Sequence, residues 1–98
     1  MGIYAQTNYE INTKDLAIAK KVEAIIVALS KNDKDGNTYG DNVTVGKDGV
    51  SAFMDSGRIQ NLEYKCGQIW EAIKNIKGVL EFSCPFMSEA DGYYQSNN

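Results

Sequence analysis

Apolar residues recur along residues 59–78 at the spacing of an α-helix. They are separated by three or four positions, which places them on one face of the helix. The set consists of Ile59, Leu62, Cys66, Ile69, Ile73 and Ile76, with the only tryptophan, Trp70, beside them. Gly78 follows where a left-handed C-terminal cap is expected. The spacing therefore predicts an amphipathic helix that packs one face against a core.

An earlier helix is predicted from a second stripe of the same kind. Its apolar positions are Ile18, Val22, Ile25, Ile26 and Leu29. Asn12 or Thr13 is expected to cap its first turn, and its end is expected near Ser30 or Lys31. The turn-forming sequence NDKDGNTYGDN follows and separates this helix from the next element.

Four strands are predicted around these helices. Residues 3–11 alternate strictly, with odd-numbered positions on one side and polar even-numbered positions on the other, as in a strand with one buried face. Residues 43–45 and 50–53 flank a Gly-Lys-Asp-Gly loop and predict a hairpin. The last strand, residues 79–84, is expected to place Leu80, Phe82 and Cys84 on one face before Pro85 ends regular pairing.

The resulting order is strand, helix, strand, strand, helix, strand. It predicts an α+β, ferredoxin-like βαββαβ fold, in which both helices pack on one face of a four-stranded antiparallel sheet. The opposite face of the sheet would then be open. The chain is interpreted as a single domain over residues 1–98, with residues 88–98 as a loosely ordered acidic tail.

Composition and charge exclude several classes of function. The chain has no histidine, which removes the usual zinc ligand and general base. Residues 1–77 hold ten acidic and ten basic side chains, so the net charge of −3 comes from Glu81, Glu89 and Asp91. A single arginine and an acidic balance argue against direct binding to nucleic acid. We therefore expect no cofactor and no metal.

Two further features favour a cytoplasmic protein. The first residues lack the basic and apolar segments of a signal peptide, and no apolar run is long enough for a membrane span. Cys66 and Cys84 are accordingly expected to be buried, reduced thiols. We do not expect the protein to act at a membrane.

The main functional hypothesis is a non-enzymatic domain that binds another protein through its surface. Tyrosines outside the predicted core and the acidic end of the chain suggest the contact residues, because tyrosine is enriched in interfaces. The predicted set is Tyr64, Glu71, Glu81, Glu89, Asp91, Tyr93 and Tyr94. In size and charge the chain resembles inhibitors, encoded by phages or mobile elements, that bind basic, nucleic-acid-binding defence proteins of the host (anti-CRISPR-like).

Two alternatives remain open from the sequence. Ser56, Gly57 and Arg58 precede a predicted helix, so free backbone N–H groups and one guanidinium could hold a phosphate or another anion in a small enzyme. The other alternative is a structural homodimer formed through the open sheet face.

Overall fold

The computed structural model describes residues 4–36, 38–85 and 91–95, which form one antiparallel sheet and two helices. The elements are β1 (Tyr4–Thr13), α1 (Leu16–Lys31), β2 (Asp41–Gly46), β3 (Gly49–Arg58), α2 (Ile59–Ile73), β4 (Val79–Pro85) and β5 (Asp91–Gln95). The strands lie in the order β2-β3-β1-β4-β5. The first four strands and the two helices have the predicted ferredoxin-like topology.

Strand β1 lies at the centre of the sheet and confirms the predicted alternation. Thr7, Tyr9 and Ile11 are fully buried beneath the helices, whereas Asn8 and Glu10 are exposed on the opposite face. The strand pairs with β3 on one side and with β4 on the other. A strand flanked on both sides and buried on one face has its register set by the side-chain pattern, because a slip by one residue would turn the apolar side chains outward.

Helix α1 begins later than predicted. Because β1 continues to Thr13, neither Asn12 nor Thr13 caps the helix; the cap is Asp15, whose carboxylate accepts a hydrogen bond from the Ile18 backbone N–H at 3.0 Å. The helix ends at Lys31, as predicted. Neither helix in the described ranges is long and apolar enough to cross a membrane.

Helix α2 buries four positions of the predicted apolar stripe but ends earlier than predicted. Leu62, Cys66, Ile69 and Ile73 are fully buried. The helix stops at Ile73, so Gly78 is not its cap. Gly78 instead has a φ of +104°, and a Cβ there would lie 2.9 Å from Cγ1 of Ile18. Glycine is required because the turn approaches α1 closely.

Strand β4 differs from the prediction at Leu80. Phe82 and Cys84 point into the core, but Leu80 is 43% exposed. The pairing with β1 shifts register between the partners Asn12–Glu81 and Thr13–Val79, which leaves Leu80 as the extra residue. A β-bulge of this kind interrupts the alternation of side chains, so Leu80 leaves the face that Phe82 occupies.

Residues 91–95 form a fifth strand within the segment for which an acidic tail is predicted. Strand β5 pairs antiparallel with β4, and Tyr94 lies opposite Phe82 in this register. Residues 86–90 and 96–98 lie outside the described part of the chain.

The structure contradicts the prediction that the two cysteines are reduced thiols. Cys66 of α2 and Cys84 of β4 are both fully buried, and the structure pairs them as a disulfide. The prediction of two separate thiols treated each cysteine as an isolated apolar residue. The fold places both at the same point between the helix layer and the sheet.

Candidate functional site: a groove between the two helices

A groove of about 430 Å³ lies between the end of α1, the loop that follows it and the first half of α2. Its floor is apolar and consists of Ile25, Ala28, Leu29 and Tyr39. Residues 32–35 form a polar wall, and the ring of Tyr64 stands at the rim. The groove thus combines an apolar floor with a polar edge, which is typical of a site that recognises a ligand.

The polar wall is a tight turn held by Asp33. One carboxylate oxygen of Asp33 accepts a hydrogen bond from the backbone N–H of Asp35 at 2.7 Å. The Gly36 N–H donates to the Asp33 carbonyl at 3.3 Å, and Gly36 has a φ of +75°. This Asx-type turn holds two carboxylates next to the groove.

Tyr39 is positioned by hydrogen bonds on both sides of its backbone. Its N–H donates to the Ser30 hydroxyl at 2.8 Å, and its carbonyl accepts from the buried Tyr9 hydroxyl at 2.9 Å. Gly40 follows directly, and a Cβ there would lie 2.6 Å from the Tyr9 hydroxyl. The central strand and the last turn of α1 therefore fix the floor of the groove.

Lys65 of α2 is a buried residue that lies beside Tyr39, which lines the groove. Only 5% of the residue is exposed, and its Nζ lies 6.0 Å from the centre of the Tyr39 ring, within the range of a cation–π interaction. Among the described residues, no carboxylate lies within 4.0 Å of this Nζ. Burial lowers the pKa of Lys65, and the charges of Asp33, Asp41 and Asp55 oppose that shift.

Burial also keeps the two tyrosine hydroxyls near the groove in their neutral form. The pKa of Tyr39 is raised by burial first and then by the nearby Asp33 and Tyr64. The pKa of Tyr9 is raised strongly by burial and further by Asp41. Both hydroxyls are therefore neutral at neutral pH, and the Tyr9 hydroxyl acts as a hydrogen-bond donor.

Two of the predicted contact residues lie on one exposed face of α2. Tyr64 is 63% exposed, the largest exposed fraction among the described large apolar residues. Glu71 lies about two helical turns further along and is also exposed. Its carboxylate forms an ion pair with Lys74 at 2.8 Å. Tyr64 is thus the predicted residue that reaches the groove, while Glu71 already has a partner.

The remaining predicted contact residues do not join this surface. Glu81 accepts a hydrogen bond from Asn12 Nδ2 at 2.6 Å on the opposite, open face of the sheet. Asp91, Tyr93 and Tyr94 belong to β5, beyond β4 at the edge of the sheet. Glu89 lies outside the described residues. The predicted set is therefore divided between two faces of the molecule.

The predicted anion site lies at the junction of β3 and α2. Arg58 is the last residue of β3 and the N-cap of α2, and its side chain is exposed. It makes no capping hydrogen bond to the helix. Ser56 and Gly57 belong to β3 in their backbone. The structure thus places Arg58 at a helix N-terminus, as predicted.

Sequence reasoning did not identify Tyr39, Asp33 or Lys65 as groove residues. The segment around Asp33 was recognised only as turn-forming, and nothing in its composition indicates that Tyr9 anchors it from 30 residues away. Lys65 follows Tyr64 on the helix, and the sequence analysis assigns it no role. The position of Lys65 directly beside Cys66 of the apolar stripe is the one sequence feature that indicates its burial. Across the described residues there is no cluster of three metal-ligating side chains.

Comparison of the chain with protein-family models, curated proteins and solved structures gives no match. The interpretation of the groove therefore depends on its geometry alone.

Proposed function

We propose that this protein is a non-enzymatic domain that binds another protein through the groove between α1 and α2. The observation that carries this proposal is the position of Tyr64, an aromatic residue that is 63% exposed and lines a groove with both apolar and charged residues. Large aromatic side chains in such positions are frequent hot spots of protein interfaces. The occupant would be a side chain or short segment of the partner.

The amount of surface available on Tyr64 is sufficient for a hot spot. A buried aromatic side chain removes about 150–250 Å² from solvent, and well over half of this remains exposed on Tyr64. At about 25 cal/mol per Å², covering it would contribute about 2–3 kcal/mol to binding. Truncation of Tyr64 should therefore lower the affinity for a partner by about 30- to 150-fold.

One version of the proposal is an inhibitor, encoded by a phage or mobile element, of a basic, nucleic-acid-binding defence protein. The net charge of −3 and the two carboxylates beside the groove support a basic partner. The protein would act by covering a surface of that partner, without chemistry of its own.

The open sheet face is less suited to a homodimer. Glu10, Asp55 and Glu81 lie on the strands of this face, and Arg58 is the only basic residue in the described parts of β1 to β4. A two-fold dimer brings the same patch of each copy together, so these carboxylates would meet each other. Like charges in an interface are unfavourable.

The proposal is tested by capture of partners from the cells that express the protein, with wild type and two variants compared. Tyr64→Ala should reduce the captured partner at least tenfold. Leu80→Ala is the matched control, since Leu80 is 43% exposed on another surface, and it should capture as wild type does. Equal capture by wild type and Tyr64→Ala would contradict the proposal, and so would the absence of any partner of the wild type.

A further inference from the structure

Tyr39, which lines the groove, already lies beside a cation of the chain itself. The Nζ atom of Lys65 lies 6.0 Å from the centre of the Tyr39 ring, and the charges of Asp33, Asp41 and Asp55 act on it. The ring and the carboxylates favour the charged amine, whereas burial of the residue, of which only 5% is exposed, disfavours it. An aromatic face with carboxylates at longer range thus offsets part of the cost of burying this cation.

The groove lining also contains an aromatic ring together with carboxylates, but no cation from the described chain forms an ion pair with these carboxylates. Tyr64 presents an exposed ring, and Asp33 and Asp35 lie in the wall of the same groove. Lys34 also lines the wall, so the lining charges are two negative and one positive. The balance is negative, and no described basic side chain forms an ion pair with either carboxylate.

We infer that the groove is a subsite for an arginine side chain of the partner, held between the Tyr64 ring and the carboxylates of Asp33 and Asp35. This inference rests on the proposed function and names the chemistry of its partner. The floor formed by Ile25 and Leu29 takes the aliphatic part of the side chain, and the charged end reaches the wall.

Arginine fits this lining better than lysine for two physical reasons. Its planar guanidinium stacks on an aromatic ring while its N–H groups donate to a carboxylate in the same plane, whereas an ammonium is a point charge. The guanidinium is also less strongly hydrated than an ammonium, so it loses less hydration free energy when it enters a partly apolar groove. One stacking contact and one exposed ion pair together correspond to about tenfold in affinity.

The test uses the acetylated and amidated tripeptide Leu-Arg-Leu and its citrulline counterpart, which has the same shape and no charge. Backbone amides of the full chain are followed by NMR during titration. The arginine peptide should shift amides of residues 28–36 and of Tyr64, with binding about tenfold stronger than that of the citrulline peptide. Added salt should reduce this difference, because the carboxylates are exposed to solvent.

Variants separate the carboxylates from the ring. Asp33→Asn together with Asp35→Asn keeps the side-chain oxygen that holds the turn, and should reduce binding of the arginine peptide to the level of the citrulline peptide. Asp48→Asn removes an exposed charge from the β2–β3 turn and serves as the control. Equal binding of the two peptides, or no shift of the groove amides with either, would overturn the inference.

The same variants distinguish this inference from the proposed function. If Tyr64→Ala loses the natural partner but the double Asp→Asn variant keeps it, the groove binds a partner and the arginine subsite is wrong. If Tyr64→Ala keeps the natural partner, the proposed function itself is wrong, whichever peptide binds.

Discussion

The hydrogen bond from Tyr9 to Tyr39 anchors the groove to the central strand, and Tyr9→Phe removes it without changing the packing of the ring. The Tyr9 ring stacks edge-on against Phe82 with their centres 5.3 Å apart, and phenylalanine keeps that contact. The loss is confined to the hydroxyl, whose 2.9 Å bond to the Tyr39 carbonyl is buried. The variant therefore measures a single polar interaction.

The expected destabilisation follows from what the variant leaves behind. A buried carbonyl that loses its donor costs about 1–3 kcal/mol, because water does not replace the lost partner. For a chain of this size, about 2 kcal/mol corresponds to a fall in Tm of about 10 °C. Urea denaturation followed by circular dichroism measures the free energy of unfolding directly.

Tyr39→Phe is the matched control for this measurement. It also removes one phenolic hydroxyl, but in the described structure that hydroxyl makes no hydrogen bond. Its effect on the free energy of unfolding should stay within about 0.5 kcal/mol. Equal stability of wild type and Tyr9→Phe, or a larger loss from Tyr39→Phe, would refute the reasoning.

The raised pKa of Tyr9 adds a pH dependence with a definite sign. The unfolded chain loses the Tyr9 proton near the ordinary pKa of 10.0, whereas burial keeps the proton on the folded protein to higher pH. The contribution of Tyr9 to the free energy of unfolding is therefore complete below pH 10 and is lost as pH rises beyond it. For each pH unit above 10, the free energy of unfolding of the wild type should fall by about 1.4 kcal/mol more than that of Tyr9→Phe. The difference between the two proteins should therefore narrow between pH 10 and pH 11, and a constant difference would contradict the assignment.

Three further changes test other parts of the structure. Gly49→Ala should lower the free energy of unfolding by at least about 2 kcal/mol, because Gly49 has a φ of +147° and a Cβ would collide with the Ile11 carbonyl oxygen. Gly46→Ala, on the other side of the same turn and with open space around it, should change it by less than about 0.5 kcal/mol in the same urea titration. Lys65→Met removes a buried charge that has no carboxylate within 4.0 Å and keeps the stem, so thermal denaturation should show no loss of stability; a loss above about 1 kcal/mol would show that the amine makes a net favourable interaction.

The regular elements of the fold were predictable because their patterns are local. The buried face of α2 follows from apolar residues at helical spacing, and four of its predicted positions, from Leu62 to Ile73, are fully buried. The alternation along β1 likewise predicts which residues face the helices, as the burial of Tyr9 and Ile11 confirms. Such patterns depend on neighbours within a few positions in the chain.

The errors arose where a distant partner decides the local structure. Asp15 caps α1 because pairing with β3 and β4 extends β1 to Thr13, and Leu80 is exposed because the pairing of β4 with β1 contains a bulge. Neither effect is visible in the spacing of side chains. Cys66 and Cys84 meet for the same reason, since only the fold brings α2 and β4 together at that point.

The sequence did not predict a groove, and of the residues that line it only Tyr64 is in the predicted contact set, because its position opposite the apolar stripe follows from helical spacing. Its floor depends on Tyr39, which the Tyr9 hydroxyl and the Ser30 side chain hold in place from other elements. The sequence also grouped Glu81 with Tyr64 by charge and exposure, although the sheet separates them. A surface formed by several elements requires the tertiary structure.

Hydrogen–deuterium exchange of the protein alone and in complex with its captured partner tests the central claim most directly. Binding should slow exchange in residues 28–39 and around Tyr64, where the loop and the exposed helix face line the groove. Exchange in β2 and along the β2–β3 turn should remain unchanged. Slower exchange confined to the sheet strands, with no change in residues 28–39, would contradict the assignment of the groove as the binding surface.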